Sequence, residues 1–202
     1  MPMKTRNTRP QNSLRIIAGQ WRSRKLQFPD VEGLRPTADR VRETLFNWLQ
    51  EALPRAACLD LFAGSGACGM EALSRGARHV CFVEKSPVAL QAIRHNLSLL
   101  QASGHRTVCE DSLTWLAAKE KASAEKFDIV FIDPPFAADL LERSAKALES
   151  SGLLQEHALL YVELSTETPL PALPDNWVLR KSKRAGKVQF HLFERQAAGA
   201  GA

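Results

Sequence analysis

The sequence has no apolar run long enough to span a membrane, and its opening residues, MPMKTRNTRP, lack the apolar core of a secretion signal. Both absences predict a cytoplasmic protein. Four cysteines, Cys58, Cys68, Cys81 and Cys109, show no CxxC spacing and stand in apolar contexts. They are expected to be reduced core residues, which excludes a disulfide framework or a zinc module. The five histidines, at 79, 95, 105, 157 and 191, are scattered without ligand spacing, so no metal is expected. No internal repeat is visible. A length of 202 residues gives room for one α/β domain with a modest extension, and not for two full domains.

What the chain does have is an uneven charge. Residues 1–42 carry ten basic side chains against three acidic ones, a surplus of +7 in a chain whose total is +5. A basic front end on a near-neutral body points to a polyanion, most simply nucleic acid. Residues 1–13 are basic and aperiodic with Pro2 and Pro10, and are expected to form a disordered tail. Segments 14–18 and 26–28 flank Gly19-Gln20-Trp21-Arg22 and predict a short β-hairpin within an extension over 14–35. Arg15, Trp21, Arg22, Arg24 and Lys25 lie on that ribbon, with Arg35 and Arg40 beyond it. Cations interleaved with an aromatic suit phosphate contacts and stacking on an unpaired RNA base. A hairpin that merely covers the domain edge is the plainer alternative.

The stretch 58–69, CLDLFAGSGACG, organises the rest. An apolar strand breaks into Ala63-Gly64-Ser65-Gly66 and leads into a helix. That makes a nucleotide-binding elbow, in which glycines admit close backbone approach and the helix start offers free N–H groups. Gly64 to Gly69 also fits the dinucleotide fingerprint, with Glu84 twenty residues after Gly64. A pyrophosphate would be repelled by Asp60 at the end of that strand. A ligand with an ammonium group and a ribose suits Asp60 and Glu84 better, and S-adenosylmethionine is such a ligand.

Strands and helices then alternate. Ser86 and Pro87 start one helix as N-cap and first helical residue. The apolar strand FDIVFI (127–132) ends in Asp133-Pro134-Pro135-Phe136, and a closing hairpin turns at Arg184-Ala185-Gly186. In that hairpin Val188, Phe190 and Leu192 alternate with Gln189 and His191, as in a half-buried strand. The expected fold is α/β, a mostly parallel, doubly wound, Rossmann-like sheet over 36–195 with an antiparallel C-terminal strand, and a frayed tail over 196–202. Asp60 to Gly69, Glu84, Asp111 and Asp133 to Phe136 all fall at strand carboxyl ends and are expected to share one crevice.

The Pro-Pro loop fits methyl transfer to an exocyclic amine. Such a nitrogen is a poor nucleophile because its lone pair is delocalised into the ring. Two fixed acceptors, the Asp133 carboxylate and the Pro134 carbonyl, would stabilise the charge that develops on its N–H bonds. Phe136 offers a face for a base rotated out of its stack.

These segments, DLFAGSG, FVEK and DPPF together with RIIAGQWRSRKL and LRPTADRVRETLFN, resemble the bacterial RsmD-type family over nearly the whole chain, residues 14–195. The resemblance implies a seven-stranded class I methyltransferase that uses S-adenosyl-L-methionine to modify guanine N2 in 16S rRNA of the small ribosomal subunit. It implies that Asp60, Ala63, Gly64 and Gly66 hold the methionine end and that Glu84 binds the ribose hydroxyls. Asp111 and Ser112 would lie beside the adenine, with Phe62, Ser65 and Lys85 completing the cofactor set. Asp133, Pro134, Pro135 and Phe136 would hold the target guanine. Cys68 stands where the family more usually has a bulkier aliphatic residue. The protein is expected to act as a monomer on an assembled or assembling subunit. DNA-adenine or protein-glutamine methylation, a non-catalytic RNA-binding assembly factor and an NAD-dependent oxidoreductase are the competing readings.

Overall fold

In the computed structural model, residues 12–30, 37–119, 126–135 and 138–196 are described. Arg35, Phe136, residues 1–11 of the expected basic tail and 197–202 of the frayed one lie outside them. The chain begins with a two-stranded antiparallel hairpin, β1 (Asn12–Arg15) and β2 (Lys25–Phe28). Its first strand starts at Asn12, so Asn12 and Ser13 are paired chain rather than part of a disordered tail. Helix α1 (Asp39–Trp48) follows. The alternating elements are then β3 (Ala57–Asp60), α2 (Ala67–Ser74), β4 (His79–Glu84), α3 (Pro87–Leu99), β5 (His105–Cys109), α4 (Ser112–Ala117), β6 (Phe127–Ile132), α5 (Ala138–Ser150) and β7 (Leu154–Ser165). A second hairpin closes the fold with β8 (Trp177–Ala185) and β9 (Val188–Arg195).

Seven strands form one sheet in the order β5-β4-β3-β6-β7-β9-β8, with β9 antiparallel to both β7 and β8. Side chains alternate across each strand, so each strand feeds two cores. On one face Cys58, Val80, Phe82, Ile129 and Phe131 meet α1, α2, α3 and the first hairpin. On the other, Leu59, Cys81, Val83, Val130 and Ile132 meet α4 and α5. Ser86 caps α3 as expected, its Oγ accepting the Ala89 N–H at 3.3 Å with Pro87 behind it.

Two expectations fail here. Cys109 is exposed, because β5 is the edge strand. Strand β9 is not half-buried: Gln189, Phe190, His191, Leu192 and Phe193 are all buried. It lies inside the sheet, and the loop after β7 folds over it, where the Gln189 side-chain amide donates to the Ser165 and Thr168 carbonyls at 2.9 and 2.6 Å.

Candidate active site

From β3 the chain moves outward through β4 to β5, then returns to place β6 on the other side of β3. The strand order therefore reverses between β3 and β6, and a crevice opens outside their carboxyl ends. Asp60 ends β3 opposite Phe131, and Asp133 follows β6 two residues later. The two acidic loops are thus neighbours.

On the β3 side, the turn is built from Gly64 (φ +52°) and Gly66 (φ +75°), both left-handed. At Gly66 the positive φ is what disfavours a side chain; a Cβ there would also crowd the Met70 Cε at 2.9 Å, which a small shift of that flexible side chain could relieve. Gly69 packs α2 on the sheet, where a Cβ would lie 2.2 Å from the Phe82 ring. Asp60 is only 4% exposed and accepts the Gly69 N–H at 2.9 Å. Burial pushes its carboxyl up to about 7; that hydrogen bond opposes the rise and the Glu84 charge adds to it. No described cation offsets it. Glu84 is half-buried and closes the turn, accepting Gly64 N–H at 2.8 Å and Ser86 N–H at 2.7 Å, one on each oxygen.

Other members of the expected cofactor set take varied places. Ala63 and Ser65 are buried in the turn, Phe62 is half-buried against the second core, and Lys85 is exposed. Asp111 caps α4, its Oδ1 accepting the Leu113 and Thr114 N–H groups at 3.0 and 3.1 Å. Ser112 is buried, and its hydroxyl donates to the Leu61 carbonyl at 2.6 Å, which ties α4 to the end of β3.

On the β6 side, Pro134 is buried and Pro135 exposed. Asp133 reaches residues that sequence reasoning missed. The Thr37 hydroxyl hydrogen-bonds both Asp133 and Glu163, and the Tyr161 hydroxyl donates to Glu163 Oε2 at 2.5 Å. Burial raises the Asp133 carboxyl well above the carboxylate range, helped by the charges of Glu163 and Asp60. Glu163 is raised by burial too. The signal was present: Glu163 interrupts the apolar run LLYVEL as Asp60 interrupts CLDLF.

The expected RNA residues do not gather in one place. Helices α2 and α3 run antiparallel to the strands, so their last turns stand at the amino edge of the sheet, away from the crevice. The first hairpin's turn sits there. Gln20 N–H donates to the Ser74 carbonyl at 2.8 Å, Trp21 N–H to Ser74 Oγ at 3.0 Å, and Arg24 Nη2 to the Leu99 carbonyl at 3.4 Å. Arg22 and Lys25 are exposed beside them, whereas Trp21 is half-buried on the core, so only part of its ring is presented to solvent. Arg15 lies nearer the crevice, paired with Asp39 at 3.6 Å, and Arg40 is exposed on the first turn of α1. Among the described residues no group of acidic, histidine and cysteine side chains is arranged to hold a metal ion.

Residues 14–194 match the protein family described as "Conserved hypothetical protein 95". The chain is 47% identical over 197 residues to "Ribosomal RNA small subunit methyltransferase D" of Escherichia coli (strain K12), covering 98% of each chain. It is 42% identical over 193 residues to the protein of the same name in Haemophilus influenzae, covering 95% of this chain and 98% of that one. Among solved structures it superposes with a TM-score of 0.84 on a putative methyltransferase, yhhF, from Escherichia coli. That match is 45% identical and covers 92% of this chain and 99% of the other.

Proposed function

The chain belongs to the RsmD-type family of small-subunit ribosomal RNA methyltransferases, and from that premise we propose that it methylates the exocyclic N2 of a guanine in 16S rRNA with S-adenosylmethionine as donor. One observation carries the reading. Two acids, buried Asp60 and half-buried Asp133, stand at the ends of adjacent strands, and no cation is among the groups that shift either of them. An uncompensated buried carboxyl is costly and is retained where a ligand completes it.

The residues around Asp60 fit the donor. Its carboxylate would receive the ammonium group, and the glycine turn gives the backbone room to approach. Each Glu84 oxygen keeps a free lone pair after its backbone bond, enough to accept from ribose hydroxyls. When bound, the donor supplies a sulfonium-activated methyl group. Across the crevice, Asp133 and the Pro134 carbonyl would accept the two N–H bonds of the target amine. That directs its lone pair toward the β3 side and stabilises its positive charge as the nitrogen becomes tetrahedral. Asp133 would take the proton the nitrogen loses.

The test is methyl transfer to purified small subunits and to naked 16S rRNA, each from a strain lacking the protein, followed by mapping of the product. One new N2-methylguanine per particle is expected. A subunit rRNA already fully methylated in that strain would defeat the proposal. Methyl incorporation into DNA or protein pools alone would move the activity to one of the other amino-methylating classes.

A further inference from the structure

The second hairpin carries a charge that nothing so far has used. Residues 180–187, RKSKRAGK, hold five cations and no acid. Strand β8 is the sheet's outer edge, and from Leu179 to Arg184 both of its faces are exposed. Its turn meets the start of α1 across an open cleft of about 550 Å³, lined on one wall by Arg40 and Thr44 and on the other by Lys183, Arg184 and Lys187. Among the described residues, none of these four cations makes an ion pair.

Edge lysines discourage unwanted strand pairing, and that accounts for Arg180 and Lys181. It does not account for cations gathered at a turn, facing an arginine contributed by a separate helix.

The cleft also lies on the side where the chemistry is. Ser165, the last residue of β7, pairs with Val188, so the β8–β9 turn stands at the same carboxyl edge as Asp60 and Asp133. Thr37, which holds Asp133 and Glu163, immediately precedes Ala38 in the cleft's wall. Strands β9 and β8 are the second and third from β6, which sets the wall roughly 10–15 Å from the Pro-Pro loop. A chain of nucleotides flanking a base held at Asp133 spans that distance within a few residues.

We propose that this cleft binds the sugar–phosphate backbone of the RNA beside the target base, with Lys183, Arg184 and Lys187 on one side and Arg40 on the other. Four of the ten residues that line it are cations and none is acidic, which suits a polyanion whose sugars lie against Val41, Ala185 and Val188. The contact is to phosphate, so it fixes the register of the RNA without reading its sequence. The inference rests on the rRNA-methyltransferase reading and adds the surface on which that substrate lies.

The test is the triple variant Lys183→Ala/Arg184→Ala/Lys187→Ala, compared with wild type on purified small subunits and naked 16S rRNA. A control, Arg143→Ala/Lys146→Ala, removes two cations from α5 on the opposite face of the sheet. KM for the RNA should rise about tenfold or more in the triple variant. The slope of log affinity against log salt should flatten by about 2 to 3, one phosphate contact for each charge removed. S-adenosylmethionine affinity by calorimetry and turnover at saturating RNA should hold, and the control should behave as wild type. An active triple variant with unchanged KM and salt slope would overturn the cleft and leave the methyltransferase reading intact. So would an equal loss in the control, which would make the effect one of net charge. Methyl transfer by wild type to protein or DNA pools, with none to rRNA, would overturn both.

Discussion

Two hairpins extend this fold, and both are basic, yet they stand at opposite edges of the sheet. The first turns at the amino edge. Its backbone N–H groups occupy the Ser74 carbonyl and hydroxyl at the end of α2, and Arg24 reaches the last carbonyls of α3. Helix C-termini leave carbonyls unpaired and carry partial negative charge, so N–H groups and cations are favourable there. The second hairpin turns at the carboxyl edge, beside the crevice; Arg180 pairs with Glu194 along the strands at 2.8 Å, but the turn cations Lys183, Arg184 and Lys187 have no such structural partner among the described residues. Cationic sequence is therefore a poor guide to function until the edge it occupies is known.

How the first hairpin is held sharpens the contrast. Arg42 and Glu71 are both fully buried and 3.5 Å apart. Arg42 donates to the Arg15 carbonyl at 2.8 Å and to Asp39 at 2.6 Å; Glu71 accepts the N–H groups of Ile17 and Ala18 and the Arg75 Nε at 2.7–3.0 Å. Charge is balanced there, and the network is architecture. The largest expected effect follows: Arg42→Ala leaves Glu71 buried beside a void and should lower stability by about 3–5 kcal/mol in denaturant unfolding. Arg42→Met/Glu71→Leu should recover part of that and not all, because Ile17 and Ala18 N–H would then lack their acceptor. A loss below about 1 kcal/mol for Arg42→Ala would show that the hairpin is held by its apolar contacts alone.

At the crevice the charge is not balanced, and the expected signature is the reverse. Asp133→Asn should cut kcat by about 10²–10³, the cost of one misplaced transition-state partner. Its melting temperature should hold or rise, since a carboxyl whose charged form is penalised by desolvation has been removed. Turnover within a few-fold of wild type would remove Asp133 from its role.

Asp60 gives a smaller effect with a definite sign. Its folded carboxyl, at about 7, lies above the ordinary 3.8, so the native state binds the extra proton between those values. Stability of the free protein should therefore fall as pH rises from about 4 to 7 and level off above. Donor affinity should run the other way, because an ammonium group needs the carboxylate. Calorimetry should show S-adenosylmethionine bound about tenfold more weakly at pH 6 than at pH 8, and Asp60→Asn should abolish that dependence. A pH-independent affinity in the wild type would sever Asp60 from the ammonium group.

The elements around the site were legible in the sequence because their signals are local. The glycine elbow, the Ser86–Pro87 start of α3 and the acid at the tip of each strand all declare themselves within a few residues. What escaped was pairing across the chain. Arg42 reads as one more charge on an amphipathic helix, since its partner Glu71 is 29 residues on and local periodicity carries no such information. Thr37 and Glu163 meet only because the start of α1 crosses the end of β7. The first hairpin's basic turn was read correctly as a hairpin and given a substrate, because charge shows in a sequence and the sheet edge it reaches does not.

That last point has the smallest expected effect and is the most direct test of the contrast. Arg22→Ala/Arg24→Ala removes two cations from the amino-edge turn, against three removed from the carboxyl-edge turn in the cleft variant. If the first turn serves the helix ends, Arg24 contributes about 0.3–1 kcal/mol through the C-terminus of α3, and thermal unfolding should shift by an amount of that order. That shift should shrink at high salt, as a screened helix–charge interaction does. KM for small subunits and the salt slope of RNA binding should remain those of wild type. A raised KM with an unshifted melting temperature would break the contrast: RNA would then wrap from the crevice to the far edge of the sheet, and both hairpins would be its binding surface.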